Sequence, residues 1–469
     1  MKIKFILPAL TEAESSFWRP IKYSLFPPLG LATLAGYLSS SDEAEIVDQH
    51  VQALDICDQP DIVAIQVYIT NAYRAYKIAD HYRSKGVYVI LGGLHVTSLP
   101  REAAAHADTI FLGPAEDSFP AFLNDFRRHA PMRVYSSATR TLQGIPPIRR
   151  DLIQRELYLV PNSIVVTRGC PHHCEFCYKD AFFKGGKSFY TQVVDDALNE
   201  IDRLPGRHLY FLDDHLLGHD RFARGLFDGM KGMNRIFQGA ATVNSISRGD
   251  LIELAAEAGL RSIFVGFESL DSSNLEQSNK RQNLGIDYNE AIHKLHDLGI
   301  MINGSFVFGL DGDNHEVFQK TVAWAIEMGI TTATFHIATP YPDTAFYRKM
   351  KSAGRILTDN WDLYDTRHVT FRPKQLTEEE LKRGYDWAYW EFYRWSSIFQ
   401  SSLSHGTVKH QLKHFFYTSG WKKFESLWNT VIQLKRLNLM TPLLEGVLSD
   451  VTKKSGAGLT QDVTQQTSV

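Results

Sequence analysis

Cys170, Cys174 and Cys177 stand in the run Arg-Gly-Cys-Pro-His-His-Cys-Glu-Phe-Cys-Tyr, residues 168–178. Three thiols spaced by three and then two residues make a loop able to hold an iron-sulfur cluster. A four-iron cluster has four corners, and protein thiolates ordinarily occupy all of them. A three-thiolate loop therefore leaves one iron open to bind a substrate or cofactor directly. The remaining cysteine, Cys57, lies far upstream in a stretch without metal-ligand spacing, and reads as a small, partly buried hydrophobe. The other reading of the trio is a zinc knuckle completed by His172 or His173. Structural zinc favours paired knuckles, and the sequence has no second cysteine pair.

The elements that must position this loop alternate strand and helix. Short apolar, β-branched runs at 3–7, 44–47, 62–67, 87–91 and 109–112 are separated by helical patterns such as 31–38 and 73–85. Strands separated by helices predict a parallel sheet with right-handed crossovers, a doubly wound domain whose ligands sit beyond the carboxyl ends of its strands. Pro146 and Pro147 mark a linker at 145–150 that excludes regular structure. Beyond it a longer cycle begins, with strands expected at 163–166, 209–212, 239–243, 262–267, 301–308 and 332–337. Helices are expected at 192–203, 221–231, 250–258, 288–298 and 315–328. Six such units suit a partial barrel of parallel strands with its chemistry at the carboxyl ends.

Those ends carry the candidate site residues. In the first domain they are Tyr68, Thr70 and Asn71 after the third strand, Gly92, Gly93 and His95 after the fourth, and Gly113 and Glu116 after the fifth. Paired glycines let a backbone turn sharply or approach a flat ligand. In the second domain Asp213 and Asp214 follow the second strand, one free to meet a ligand while the other caps the next helix. Glu268 and Ser269 end the fourth strand, where they suit a ribose or an amino group, and Ser305 lies in the fifth. The run Gly309 to Asp313 has the look of a phosphate loop but lacks its lysine and full spacing. His50 follows Asp48 in a pattern that lacks the glycine of a cobalt-ligating loop, and is not assigned to cobalt.

The three-cysteine spacing, with Phe176 in the aromatic place before the last cysteine, resembles the signature of the radical S-adenosylmethionine (SAM) enzymes. The glycine-marked first domain resembles the cobalamin-binding domain of one branch of that family. It departs in Leu94, where proline is usual, and in Gly113-Pro114-Ala115-Glu116 after the next strand. The resemblance implies a 4Fe-4S cluster whose open iron chelates SAM, cleavage to a 5′-deoxyadenosyl radical, and cobalamin as a second cofactor. It also implies that Phe176, Tyr178, Asp213, Asp214, Glu268, Ser269 and Ser305 serve SAM, with Glu268 foremost after the cysteines. Tyr68, Thr70, Asn71, Gly92, Gly93, His95, Gly113 and Glu116 are implied to serve cobalamin, with Tyr68 to Asn71 under the lower face of the corrin. The implied reaction is methylation of an unactivated carbon in a small-molecule or lipid-like substrate. Methylcobalamin delivers the methyl group, two SAM are used per turnover, and an external reductant such as flavodoxin or ferredoxin supplies electrons. Alternatives are a radical SAM cyclase, a ring-contracting or C–C bond-forming enzyme and, from another class, an iron-sulfur electron carrier or regulatory protein.

The chain of 469 residues is 44% hydrophobic and 22% charged, as soluble multidomain proteins are. It is read as 1–145, a cobalamin-binding-like domain, 151–358, the barrel, 359–452, a mainly helical extension, and 453–469, a polar disordered tail. A net charge of −3 gives no general pull toward nucleic acid. Low cysteine use and the lack of an apolar leader point to the cytoplasm. In the extension, Thr377 and Glu380 form a capping box ahead of a helix dense in Tyr and Trp from Tyr385 to Trp395, expected to pack at the barrel mouth or to wall a substrate. Lys409, Lys413, Lys422, Lys423, Lys435 and Arg436 alternate with aromatic and apolar residues farther on, a pattern able to rest on a membrane surface or to pack by one face.

Overall fold

The computed structural model describes residues 1–11, 25–423, 431 and 437–449. The polar tail at 453–469, Trp428, Lys435 and Arg436 lie outside the described residues. The first sheet holds β1 (Lys2–Leu7), β2 (Glu43–Asp48), β3 (Ile62–Gln66), β4 (Tyr88–Gly92), β5 (Thr109–Leu112) and β6 (Val134–Ser136), in the order β2-β1-β3-β4-β5-β6 and parallel throughout. The order reverses between β1 and β3, and a doubly wound sheet opens its ligand crevice at such a switch point. Helices α1 (Leu29–Ala35), α2 (Ala72–Ser84) and α3 (Phe119–Arg127) cover its two faces. A sheet covered on both faces needs unbroken apolar strands, and Ile62, Val63, Ala64 and Ile65 are all buried. Lys4, buried in β1, donates to Asp58 (2.9 Å) and to the Asp55 carbonyl (2.8 Å).

The second sheet runs β14-β13-β12-β11-β10-β7, so that strands consecutive along the sheet are neighbours, again all parallel. Its strands are β7 (Ser163–Ile164), β10 (His208–Phe211), β11 (Ile236–Ala241), β12 (Leu260–Glu268), β13 (Met301–Phe308) and β14 (Thr332–Ile337). Between β7 and β10 a small antiparallel pair, β8 (Thr167–Gly169) and β9 (Phe189–Thr191), brackets the cysteine loop. Helices α4 (Val194–Arg203), α5 (Asp220–Met230), α6 (Leu251–Ala258), α7 (Tyr288–Asp297) and α8 (Glu316–Glu327) follow successive strands. They enclose a core rich in phenylalanine, in which Phe267, Phe306, Phe335 and Phe308 stack in turn, with centroids 5.5 to 5.7 Å apart.

An open barrel leaves β14 with an unpaired edge, which sheets must cover. Here α9 (Glu378–Phe392) and the residue after it cover the edge with tyrosines. Tyr389 Oη accepts from Phe335 N–H and donates to Phe335 C=O, both at 3.1 Å. Tyr393 Oη accepts from Ala333 N–H (3.0 Å) and donates to Ala333 C=O (2.8 Å). Four residues advance a helix by about 6 Å and two advance a strand by about 6.6 Å, so the two hydroxyls meet alternate strand residues. The expected capping box is present, with Thr377 N–H donating to Glu380 (2.8 Å) and Glu380 N–H donating to Thr377 Oγ1 (3.2 Å). The aromatic set of this region therefore divides, with Tyr385, Phe392 and Tyr393 buried and Trp387, Trp390 and Trp395 facing outward. The latter three line none of the cavities described below.

Candidate active site

The cysteine loop leaves β8 at Gly169, whose φ of +78° belongs to the left-handed region that glycine adopts freely. Its base is pinned when Cys170 N–H donates to Ser188 C=O (3.1 Å). Its far side is held by residues 278–282. Glu175 N–H donates to Ser278 C=O (2.9 Å), Asn279 Nδ2 to His173 C=O (2.6 Å), and Gln282 Nε2 to Cys174 Sγ (3.3 Å). Cys174 is buried, and Cys170 and Cys177 are half-buried. Burial pushes all three thiols up, Cys177 to about 12, while Lys179 and Lys280 pull against it. Such thiols ionise when a cation enters and displaces their protons. Among the described residues no three Cys, His, Asp or Glu side chains converge on one ion. The thiolates of a cluster each take a different iron, and three thiols on one loop with the Lys179 and Lys280 ammoniums beside them fit that donor set. Phe176 packs with Val307, Leu310, Phe346 and Phe371 under the loop.

A buried ion pair stands beside Cys174. Lys280 Nζ lies 2.8 Å from Glu268 Oε1, and both side chains are nearly covered. Burial lowers the Lys280 pKa, but Glu268 and then the Cys174 thiol outweigh it and leave the pKa raised, so the ammonium stays charged. Glu268 has φ +65° at an irregularity in the β12–β13 register, a left-handed conformation that costs a non-glycine residue about 1 kcal/mol or more. Ser269 Oγ accepts from Asp271 N–H (3.1 Å), and Ser305 is buried opposite Gly266 in the ladder.

The two adjacent aspartates divide their work, and neither caps a helix; the side chain of His219 caps α5. Asp213, 3% exposed, accepts from Val166 N–H (3.1 Å) and from Thr167 N–H, which fixes the strand leading into the cysteine loop. Burial pushes its carboxyl up to about 7 against those hydrogen bonds. Asp214 accepts from Gly169 N–H (3.1 Å) and pairs with Lys179 at 2.6 Å. The Asp214 charge, then burial, drives the Tyr178 phenol well above its ordinary value. The Gly309–Asp313 run is no anion cradle, because Asp313 already accepts from Gly309 N–H (2.8 Å) and Leu310 N–H (3.0 Å), and Asn274 from Gly312 N–H (2.8 Å).

On the side of the first sheet, Gly92, Gly93, Gly113 and Glu116 line an apolar recess of about 740 Å³ with Ala64, Ile90 and Phe111. A Cβ on Gly93, at φ +116°, would lie 2.7 Å from the Val67 carbonyl, so the chain can pass here only as glycine. A larger cleft of about 1440 Å³ adjoins it, lined by Leu7, Gln66 and Tyr68 from the first domain and, from the second, by Arg168 in β8, Tyr178 beside the last cysteine and Asp214 after β10. A broad apolar floor made by close backbone suits a flat corrinoid. Of residues 68–71, Tyr68 alone reaches the cleft. Thr70 and Asn71 are buried, with Asn71 Nδ2 donating to Pro8 C=O (2.9 Å) and Oδ1 accepting from Tyr68 N–H (2.8 Å). His95 turns away from both cavities to Glu102 (2.9 Å), which also accepts from Trp361 Nε1 (3.1 Å). His50 is engaged by Asp48 (2.7 Å) and by Leu10 N–H (3.1 Å).

Four side chains that the structure brings to the candidate site were not expected from the sequence. Arg168 walls both cavities and pairs with Glu116 at 2.6 Å, while Lys179, Lys280 and Gln282 surround the thiols. A basic residue two places from each outer cysteine was the available signal for Arg168 and Lys179. Nothing in the sequence ties Lys280 or Gln282 to a loop a hundred residues away.

Residues 164–325 match the model of the Radical SAM superfamily, and residues 23–123 that of the B12 binding domain. The chain is 30% identical over 351 residues to bacteriochlorophyllide d C-12(1)-methyltransferase of Chlorobaculum tepidum, covering 72% of this chain and 76% of that protein. It is 25% identical over 381 residues to hopanoid C-2 methylase of Rhodopseudomonas palustris, covering 76% and 72%. The structure of the radical S-adenosylmethionine methyltransferase TsrM from Kitasatospora setae, with cobalamin and 4Fe-4S cluster bound, superposes with a TM-score of 0.62 at 13% identity, covering 94% of this chain and 99% of that one.

Proposed function

The chain belongs to the radical SAM superfamily, in the branch with a B12-binding domain, and we propose that it methylates a carbon of a flat, largely apolar substrate of the tetrapyrrole or polycyclic-lipid kind. It is an enzyme whose cofactors are a 4Fe-4S cluster, SAM and cobalamin. When bound, the cluster supplies the electron that breaks SAM, and cobalamin supplies the methyl group. One observation carries the proposal: the cleft between the sheets has Tyr68 in one wall and Arg168, Tyr178 and Asp214 in the other, so the ligand of the first sheet faces the flank of the cysteine loop.

The chain's own residues have distinct tasks in this reading. The Lys280–Glu268 pair offers a cation and a carboxylate beside Cys174 to the zwitterionic end of SAM. Asp213 and Gly169 set the angle of the loop, and Lys179 holds Asp214 at the cleft. Tyr68 and Tyr178, apolar in the ring and neutral in the phenol, exclude water between the two halves. In this reading electrons come from an external reductant such as flavodoxin or ferredoxin, and the enzyme works in the cytoplasm. Among the described residues no helix is long and apolar enough to cross a membrane.

The test is anaerobic turnover with methyl-labelled SAM on protein containing near one cobalt per four irons, against panels of tetrapyrrole pigments and polycyclic terpenoids. Label in the product, with 5′-deoxyadenosine and S-adenosylhomocysteine formed in equal amounts, is expected. Deoxyadenosine without S-adenosylhomocysteine would replace this reading by a cyclisation or rearrangement.

A further inference from the structure

Beyond α9 the described chain forms two consecutive helices, α10 (Trp395–Leu403) and α11 (Val408–Lys422), ahead of a third at Thr441–Leu448. The Trp395 ring, at the start of α10, lies 6.1 Å from that of Phe415, and Lys423 Nζ sits 5.4 Å over the same indole. The start of α10 thus adjoins the end of α11, and the two helices run antiparallel as a hairpin. Small hydroxyls secure it to the barrel: Ser404 Oγ donates to Glu327 C=O (2.8 Å) and Thr418 Oγ1 to Thr331 C=O (2.7 Å).

The polarity of this hairpin is inverted. Its covered positions include Ser397, Ser401, Ser402, Thr418 and Ser419, each 3% exposed or less. Its outward positions are large and apolar. On α10 Trp395, Phe399 and Leu403 are 52%, 57% and 54% exposed, and on α11 Val408, Leu412 and Phe416 are 70%, 51% and 60% exposed. Both sets recur every four residues, which puts each on one helix face, whereas a helix packed on a soluble core turns such a stripe inward. Residues 392–424 contain no Asp or Glu but five basic residues, Arg394, Lys409, Lys413, Lys422 and Lys423, in a chain whose net charge is −3. Arg394 lies 5.9 Å over the exposed Trp390 ring, so cations and indoles alternate at the rim.

We infer that this hairpin seats the enzyme on an anionic lipid surface, with Trp395, Phe399, Leu403, Leu412 and Phe416 entering the acyl boundary and Lys409 and Lys423 meeting headgroups, while Arg394 pairs with Glu391 (3.1 Å) and Lys413 donates to Leu448 C=O (3.3 Å). Tryptophan and lysine together are the side chains of a membrane interface, and basic residues near an anionic leaflet add to the attraction. A second copy is the poorer occupant, because a two-fold contact would set this net-basic face against itself. The inference gives the lipid-like substrate reading a place of encounter, yet its readout is independent of methyl transfer.

Full-length enzyme carrying its cofactors is floated with vesicles of phosphatidylcholine alone and of phosphatidylcholine with phosphatidylglycerol. Flotation with the anionic vesicles, weakened by salt, is expected. The pair Phe399→Ser and Phe416→Ser should lower the bound fraction about tenfold, and Lys409→Gln with Lys423→Gln should erase the preference for phosphatidylglycerol. The charge variant removes no fully buried side chain and keeps the test decisive if the serine pair lowers the yield. Deoxyadenosine formation without vesicles should be unchanged in both, which separates this inference from the catalytic reading. Failure to float, flotation indifferent to both variants, or self-association abolished by the serine pair without vesicle binding would each overturn it.

Discussion

At the carboxyl ends of the first sheet stand glycines and apolar side chains; at those of the second stand carboxylates and lysines tied to one another. Gly92, Gly93 and Gly113 bring bare backbone to the recess, while Asp214–Lys179 and Glu268–Lys280 ring the thiols. Under the proposed function, the same strand-helix architecture would hold one ligand by shape and the other by charge. Substitutions at the first sheet should change what fits, and substitutions at the second what reacts.

The largest effect expected is from Cys174→Ala, which leaves the cluster two thiolates. SAM cleavage should fall to background with soluble protein retained, and full deoxyadenosine production would sink the cluster assignment. Next is Lys280→Met, which leaves the Glu268 carboxylate nearly covered without its cation, at a cost of about 3 kcal/mol. Denaturant unfolding should show that loss alongside slower SAM cleavage. Gly93→Ala forces a Cβ toward the Val67 carbonyl at positive φ, costing about 2 kcal/mol. Its cobalt content should drop several-fold while iron per chain stays constant, and a parallel fall in both metals would erase the contrast between the sheets. Tyr393→Phe strips Ala333 of both hydroxyl contacts, for about 2 kcal/mol of unfolding free energy, without changing either metal content.

The smallest effect is of pH. Burial raises the Asp313 carboxyl to about 7 despite its three hydrogen bonds, well above the ordinary carboxylate value of about 4. A raised folded-state pKa means that stability from this group is full below about 4 and is lost as pH climbs toward about 7. The unfolding midpoint should decline over that window, and Asp313→Asn should flatten part of the decline.

Much of this was legible in the residues. The cysteine loop needs only local spacing, and the apolar strands of both sheets announce themselves by composition, so their positions were expected to within a few residues. Two strand features escaped. β6 is a three-residue edge strand with too short a pattern to register, and β8 and β9 pair across the whole cysteine loop. The site was legible where one residue's neighbours in sequence are its neighbours in space, as for Gly92-Gly93. It was illegible where partners come from separate segments: Lys280 meets Glu268 at the irregular end of β12, and His95 follows the glycines yet turns to Glu102 and Trp361. The inverted hairpin was read only as a basic aromatic stretch, because the sequence shows a periodic stripe but not which side of it the protein covers.

Arg168 lies two residues before Cys170, forms part of the wall of both cavities and is fastened to Glu116 of the first domain. The two cavities thus share a wall stud, and with the cofactors bound as proposed maturation becomes a question of order: a loop already braced by a filled first cavity presents its thiols in a different state of readiness from one that is not. Iron uptake by cobalamin-free and cobalamin-loaded protein should therefore run at different rates, and Arg168→Ala should make the two rates converge.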